Sequence, residues 1–176
     1  MIIQNNTIDA VNGIGIYAWI SNSVIKDNTV TNIGVFDKLG LKGTWNDNGG
    51  TGMEISGNGN TIEYNRISEI NYNGIFWRGK STLQYNYMKN VCLYKSDGGG
   101  IYTGGTTAAG STVRYNIVDN SVGNKEGGIT DRDMSEGIYL DEPSLNIICE
   151  YNTVVRCSNS GIFLHRVENH TVRNNT

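Results

Sequence analysis

The sequence predicts an all-β fold, a solenoid of about seven short coils stacked as a parallel β-helix. Three observations carry the prediction. An asparagine recurs along the whole chain in variants of the tetrad Y-N-x-[IV], at Asn6, Asn28, Asn65, Asn86, Asn116, Asn152 and Asn175. Apolar residues hold fixed offsets from it. A second motif, Gly followed by Ile or Met, opens another short apolar run in nearly every coil.

The asparagines are 22, 37, 21, 30, 36 and 23 residues apart. Three of these spacings describe a bare coil of 21 to 23 residues, and the other three a coil plus an insertion. A repeat of that size belongs to a solenoid, in which each unit is stable only against its neighbours. Three residues before each Asn stands Ile3, Ile25, Ile62, Leu83, Val113, Cys149 or Val172. Two residues after it the column reads Ile8, Val30, Ile67, Met88, Val118, Val154, and five after it Val11, Ile33, Ile70, Val91, Ser121, Cys157. The runs are β-branched, too short for helices and separated by turn residues, so they are strands. Each coil is then about three strands, paired in parallel with those of the next coil. The Asn column becomes an amide ladder at a corner, where it satisfies turn groups that would otherwise be buried unpaired. Tyr64, Tyr85, Tyr115 and Tyr151 precede ladder asparagines and are expected to stack and stiffen that corner.

The third strand of each coil reads GIYAW (15–19), GMEIS (52–56), GIFWR (74–78), GIYTG (100–104), GIYLD (137–141) and GIFLH (161–165). Alternation along a strand turns two columns outward. One is Tyr17, Glu54, Phe76, Tyr102, Tyr139, Phe163, and the other Trp19, Ser56, Arg78, Gly104, Asp141, His165. This face carries aromatics, acids, a base and an imidazole. From ladder Asn to the next G-[IM] strand takes nine residues in bare coils but 24 after Asn28, 14 after Asn86 and 21 after Asn116. All three insertions therefore leave at the corner beside the aromatic face, where inserted loops commonly wall a binding site.

Acids mark the candidate chemistry. Asp97 precedes the fourth G-I strand in S-D-G-G-G-I-Y-T-G-G (96–105), and Asp141 ends the fifth in E-G-I-Y-L-D-E-P (136–143). Neighbouring coils are about 4.8 Å apart, so acids at the rims of two successive coils fall within carboxylate-pair range, roughly 5–10 Å. Gly104 leaves a gap between Arg78 and Asp141 in which a ligand would sit. Asp97, Asp141 and, less centrally, Glu136 are the expected catalytic residues. Tyr17, Trp19, Glu54, Phe76, Arg78, Tyr102, Tyr139 and His165 are the expected substrate contacts. Turn-capping is the competing reading of each aspartate alone.

Composition sets limits. The 176 residues make one domain with net charge −3 and no basic patch, which argues against a nucleic-acid partner. No apolar run has membrane-spanning length, and residues 1–176 carry no signal-peptide pattern, a segment that a piece of a longer protein is expected to have lost. The chain shows no end caps and is expected to be a piece of a longer protein, since bare solenoid ends expose strand edges. The three cysteines lack metal-ligand spacing, and Cys92, Cys149 and Cys157 fall in or beside core columns, so they read as buried hydrophobes. No cofactor or metal is expected.

The coils resemble the right-handed parallel β-helix repeats of the pectate-lyase-like superfamily. The stretch D-G-G-G-I-Y-T (97–103), G-I-Y-L-D-E (137–142), G-I-F-L-H (161–165) and N-H-T-V-R-N-N (169–175) resembles its carbohydrate-active members. The nearest are glycoside hydrolases of family 141, which include α-L-fucosidases acting on pectic polysaccharide; the chain departs from them in lacking N-terminal coils and accessory domains. The resemblance implies a glycoside hydrolase whose carboxylate pair maps onto Asp97 and Asp141, a carbohydrate polymer or oligosaccharide as partner, and an extracellular or periplasmic location. Two alternatives stay open. One is a Ca²⁺-dependent polysaccharide lyase of the same fold, needing a carboxylate cluster and an Arg or Lys base. The other is a non-catalytic carbohydrate-binding or adhesin shaft using the aromatic face alone.

Overall fold

The computed structural model describes residues 1–36, 49–125 and 133–176. Strands wind through three parallel sheets, and in each sheet coil order is strand order. The first sheet has seven strands, from Ile2–Gln4 to Thr171–Arg173, and the other two have six each, starting at Thr7–Val11 and Ile16–Trp19. Among the described residues the one helical element is a 3-10 turn at Thr106–Ala108. The register follows the predicted columns. Ile3, Ile25, Ile62, Leu83, Val113, Cys149 and Val172 pair in sequence across the first sheet. In the second sheet Ile8, Val30, Ile67, Met88, Val118 and Val154 do the same. Both columns meet in a core whose middle members are fully buried.

The amide ladder runs unbroken from Asn6 to Asn175. Each side-chain Nδ2 donates to the Oδ1 of the next ladder asparagine at 2.9–3.0 Å. The backbone N–H of each donates to that same oxygen. From Asn28 onward Nδ2 also reaches a core-column carbonyl, as Asn86 does to Ile62 at 2.8 Å. Five of the seven amides are buried with every polar atom of the side chain engaged, as burial of such groups demands. The residue before each ladder asparagine takes the left-handed conformation that makes the corner, with φ between 54° and 58° from Asn5 to Asn174. At four of these positions the residue is tyrosine, and the rings stack face to face as expected, 5.0–5.3 Å apart and within 14° of parallel. Stacking offsets part of the cost, about 1–2 kcal/mol, of that backbone for a residue with a Cβ.

The glycines that open the third-sheet strands have a packing reason. A Cβ on Gly74 would stand 2.4 Å from the Gly100 carbonyl oxygen, and one on Gly137 would stand 2.0 Å from Val154 Cγ1. The next coil of the third sheet at Gly74, and the second sheet at Gly137, come so close that only hydrogen fits. Cys92 and Cys149 are buried free thiols and Cys157 is half-buried, and burial pushes the Cys149 thiol up to about 12. Ser121, a hydroxyl in an apolar column, pairs with Ser135 Oγ at 2.5 Å.

Candidate active site

Strand Gly98–Thr103 lies in parallel register with Ser135–Leu140, which pairs in turn with Ile162–Leu164. Asp97 immediately precedes the first of these and Asp141 follows the second, so the two acids enter the outer face from opposite ends of adjacent strands. The Tyr139 side chain closes the distance. Its hydroxyl is 3.4 Å from Asp97 Oδ1 and 3.5 Å from His165 Nδ1, which is 2.8 Å from Asp141 Oδ1. Three contacts in series thus join the carboxylates.

The two acids are held differently. Asp97 has its backbone pinned: its N–H donates to the Met134 carbonyl at 2.6 Å, and its carbonyl accepts from the Tyr72 hydroxyl at 2.7 Å. Its φ of 61° is left-handed, which aspartate tolerates better than most side chains. Among the described residues the carboxyl accepts a hydrogen bond from Tyr139. Burial pushes its pKa above the ordinary aspartate value, and the nearby Asp141 charge pushes the same way, against the Tyr139 hydrogen bond and His165. Asp141 instead accepts from the Tyr102 hydroxyl at 2.9 Å and from the Glu142 N–H at 2.7 Å, with His165 on its other side. Burial raises the Tyr102 and Tyr139 phenols, with the acids adding to it, which keeps both protonated as donors. Phe163 stacks on the His165 ring at 5.6 Å and 10°.

Several expected contacts stand elsewhere. Glu136 has no exposed surface; its oxygens accept from Asn159 Nδ2 at 2.7 Å and the Ser160 N–H at 2.8 Å, and burial raises its pKa. The carboxyl therefore ties the next coil in place and does not face a substrate. Glu54 is 3 % exposed and forms an ion pair with Arg78. Arg78, an expected substrate contact, is thereby engaged from beneath, because a buried carboxylate needs a compensating charge. Phe76 and Tyr139 point outward but are 4 % and 2 % exposed. Adjacent rings of their column pack on each other, Phe76 on Tyr102 at 5.0 Å and Tyr102 on Tyr139 at 5.2 Å, while Arg78 lies 4.1 Å over Phe76. The gap at Gly104 is taken by Tyr102, whose hydroxyl would be 3.3 Å from an added Cβ. Tyr17 and Trp19 remain in solvent, 57 % and 74 % exposed. Beside Trp19 a cavity of about 650 Å³ opens toward Arg78.

Sequence reasoning missed Tyr72 and Asn73. Tyr72 anchors the Asp97 carbonyl and Asn73 Oδ1 accepts the Gly99 N–H at 2.8 Å. Both lie one coil earlier, in the short turn between Ile70 and Gly74, and no motif marks them. Among the described residues no group of three His, Cys, Asp or Glu side chains is placed to hold a metal ion, and none of the helical residues forms a membrane-spanning helix.

Three parallel sheets wound into one rod, with an amide ladder inside and a paired acid site outside, define a parallel β-helix. The chain belongs to the right-handed β-helix family, whose model, a right handed beta helix region, matches residues 1–176. No curated protein and no solved structure matches it.

Proposed function

We propose that this β-helix hydrolyses glycosidic bonds, with Asp97 as general acid and Asp141 as its partner carboxylate. The observation that carries the reading is the unequal treatment of two acids joined through the Tyr139 phenol and the His165 imidazole. Asp97 is partly desolvated, accepts from Tyr139 and no backbone donor among the described residues, and is biased toward its protonated form. Asp141 is oriented by Tyr102, the Glu142 N–H and His165. Paired carboxyls whose environments differ in this way are the working parts of glycoside hydrolysis. Asp97 gives its proton to the leaving glycosidic oxygen as the bond to the anomeric carbon breaks. Asp141 faces the positive charge that develops there; water supplies the new hydroxyl and gives its other proton to a carboxylate of the pair, which restores the starting protonation. Family 141-like glycoside hydrolases, to which the motifs at 97–103 and 137–142 are similar, supply the substrate class, a plant or microbial polysaccharide outside the cell.

Two other readings have less support. A Ca²⁺-dependent lyase needs a carboxylate cluster, which the described residues do not form, and a free cationic base, whereas Arg78 is committed to Glu54. A binding shaft gives no reason for a desolvated acid beside Asp141.

The test is turnover of aryl glycosides and polysaccharide fragments by the protein with Asp97→Asn or Asp141→Asn. Each change should lower kcat by about 10²–10⁴-fold, the usual worth of acid–base or nucleophilic assistance, in a protein that still folds. Wild-type turnover by either variant removes that residue from the mechanism. The anomeric configuration of the first product, read by NMR, distinguishes a nucleophilic Asp141 from a basic one.

A further inference from the structure

We infer that the cavity beside Trp19 is a remote subsite for the neutral part of a long glycan, which runs along the solenoid axis to the acid pair. The inference rests on the hydrolase reading for its far end and on separate observations for the rest. Trp19 pairs with Ser56 and Ser56 with Arg78 across the third sheet. Continuing that register, Gly104 follows Arg78, Asp141 follows Gly104 and His165 follows Asp141. Trp19, at the far end of the cavity, and the partner carboxylate therefore occupy one column, four strand steps apart, or about 19 Å, with Arg78 midway between them. A single sugar does not bridge that distance, whereas an extended oligosaccharide does.

The lining specifies the occupant. Trp19 presents an indole 74 % exposed, held edge to face against Tyr17 at 6.3 Å and 82°. An exposed rigid aromatic with one polar edge suits the apolar face of a sugar ring. Gly57 and Gly79 keep the floor low, and exposed Asn58 and Thr107 supply polar side chains at its rim. Arg78 is the one charged residue of the lining among the described residues, and its charge is balanced by Glu54 underneath. A uronate carboxylate would have to compete with that buried acid for the guanidinium. A neutral sugar only needs the outer N–H groups, so the cavity selects neutral residues.

Binding without turnover separates this subsite from the catalytic reading. The protein carrying Asp97→Asn and Asp141→Asn is titrated calorimetrically with xylo- and manno-oligosaccharides from disaccharide to hexasaccharide, and with oligogalacturonates of equal length. For at least one neutral series, affinity should rise with each added residue up to about the pentasaccharide. Adding Trp19→Ala should weaken the longest ligand about tenfold, as loss of one aromatic anchor does, and leave the disaccharide unchanged. Tyr17→Ala should produce a smaller loss. Affinity independent of length, no binding of either neutral series, equal binding with Trp19→Ala, or tighter binding of the galacturonates overturns the inference. Each of these outcomes leaves the effect of Asp97→Asn on turnover to be judged separately.

Discussion

Two rows of aromatic side chains climb this solenoid, and they differ in what their hydroxyls do. At the asparagine corner Tyr64, Tyr85, Tyr115 and Tyr151 stack nearly parallel, with 40 to 51 % of each residue exposed. On the acid face Phe76, Tyr102, Tyr139 and Phe163 have similar centroid spacing, 4.9–5.2 Å, but are tilted by 35° to 66°. Coil repetition imposes the spacing in both rows. The tilt belongs to the second, where Tyr102 reaches Asp141 and Tyr139 reaches Asp97. A repeat in which every ring does the same thing is scaffold, and one in which single hydroxyls are diverted to carboxylates is a site.

The largest expected effect breaks the scaffold row. Asn86 lies between Asn65 and Asn116, accepting two hydrogen bonds from the first and donating to the second and to the Ile62 carbonyl. Asn86→Ala strands those partners in a buried corner and should cost about 3 kcal/mol in chemical denaturation. It should also disorder the Tyr85 ring, read as lost near-ultraviolet dichroism. Unchanged stability would show that the ladder does not hold the stack.

A matched pair of conservative changes sharpens the comparison. Tyr102→Phe removes one donor from Asp141 and should lower kcat about tenfold or more, since a hydrogen bond to a charged group contributes about 1.5–3 kcal/mol. Tyr115→Phe removes a hydroxyl from the exposed row and should leave both activity and melting temperature within error. Equal effects from the two would erase the distinction between the rows.

The smallest effect concerns stability against pH. The Asp97 pKa is raised in the folded protein above the ordinary 3.8. The native state therefore binds more protons than the unfolded state between those two values, and stability falls as pH rises through them. Asp97→Asn removes that penalty, so the variant should melt above the parent at pH 7. The difference should vanish once the pH is below about 3.8, where both states are protonated. A variant less stable than the parent at pH 7 would make Asp97 a turn cap.

The site was legible in part. Asp97 and Asp141 stood out because each interrupts a repeat at adjacent coils, and the columns placed His165 next to Asp141. At Glu54, Phe76, Arg78 and Glu136 the sequence says less, because alternation tells which way a side chain points, not what covers it. The Glu54–Arg78 pair forms between neighbouring coils across 24 residues of sequence, and nothing local records it. Tyr72 was invisible for the same reason.

By itself the sequence determined the coil, its core columns, the amide ladder and the face that bears the acids. Each of those depends on residue type at a fixed period, and in a parallel solenoid period and register are the same quantity. Tertiary structure alone decided which outward groups stay in solvent, which charge neutralises which, and that one buried phenol lies between the two aspartates. Those outcomes depend on side-chain packing between coils of unequal length, where a difference of a few ångströms separates an exposed ligand contact from a buried ion pair.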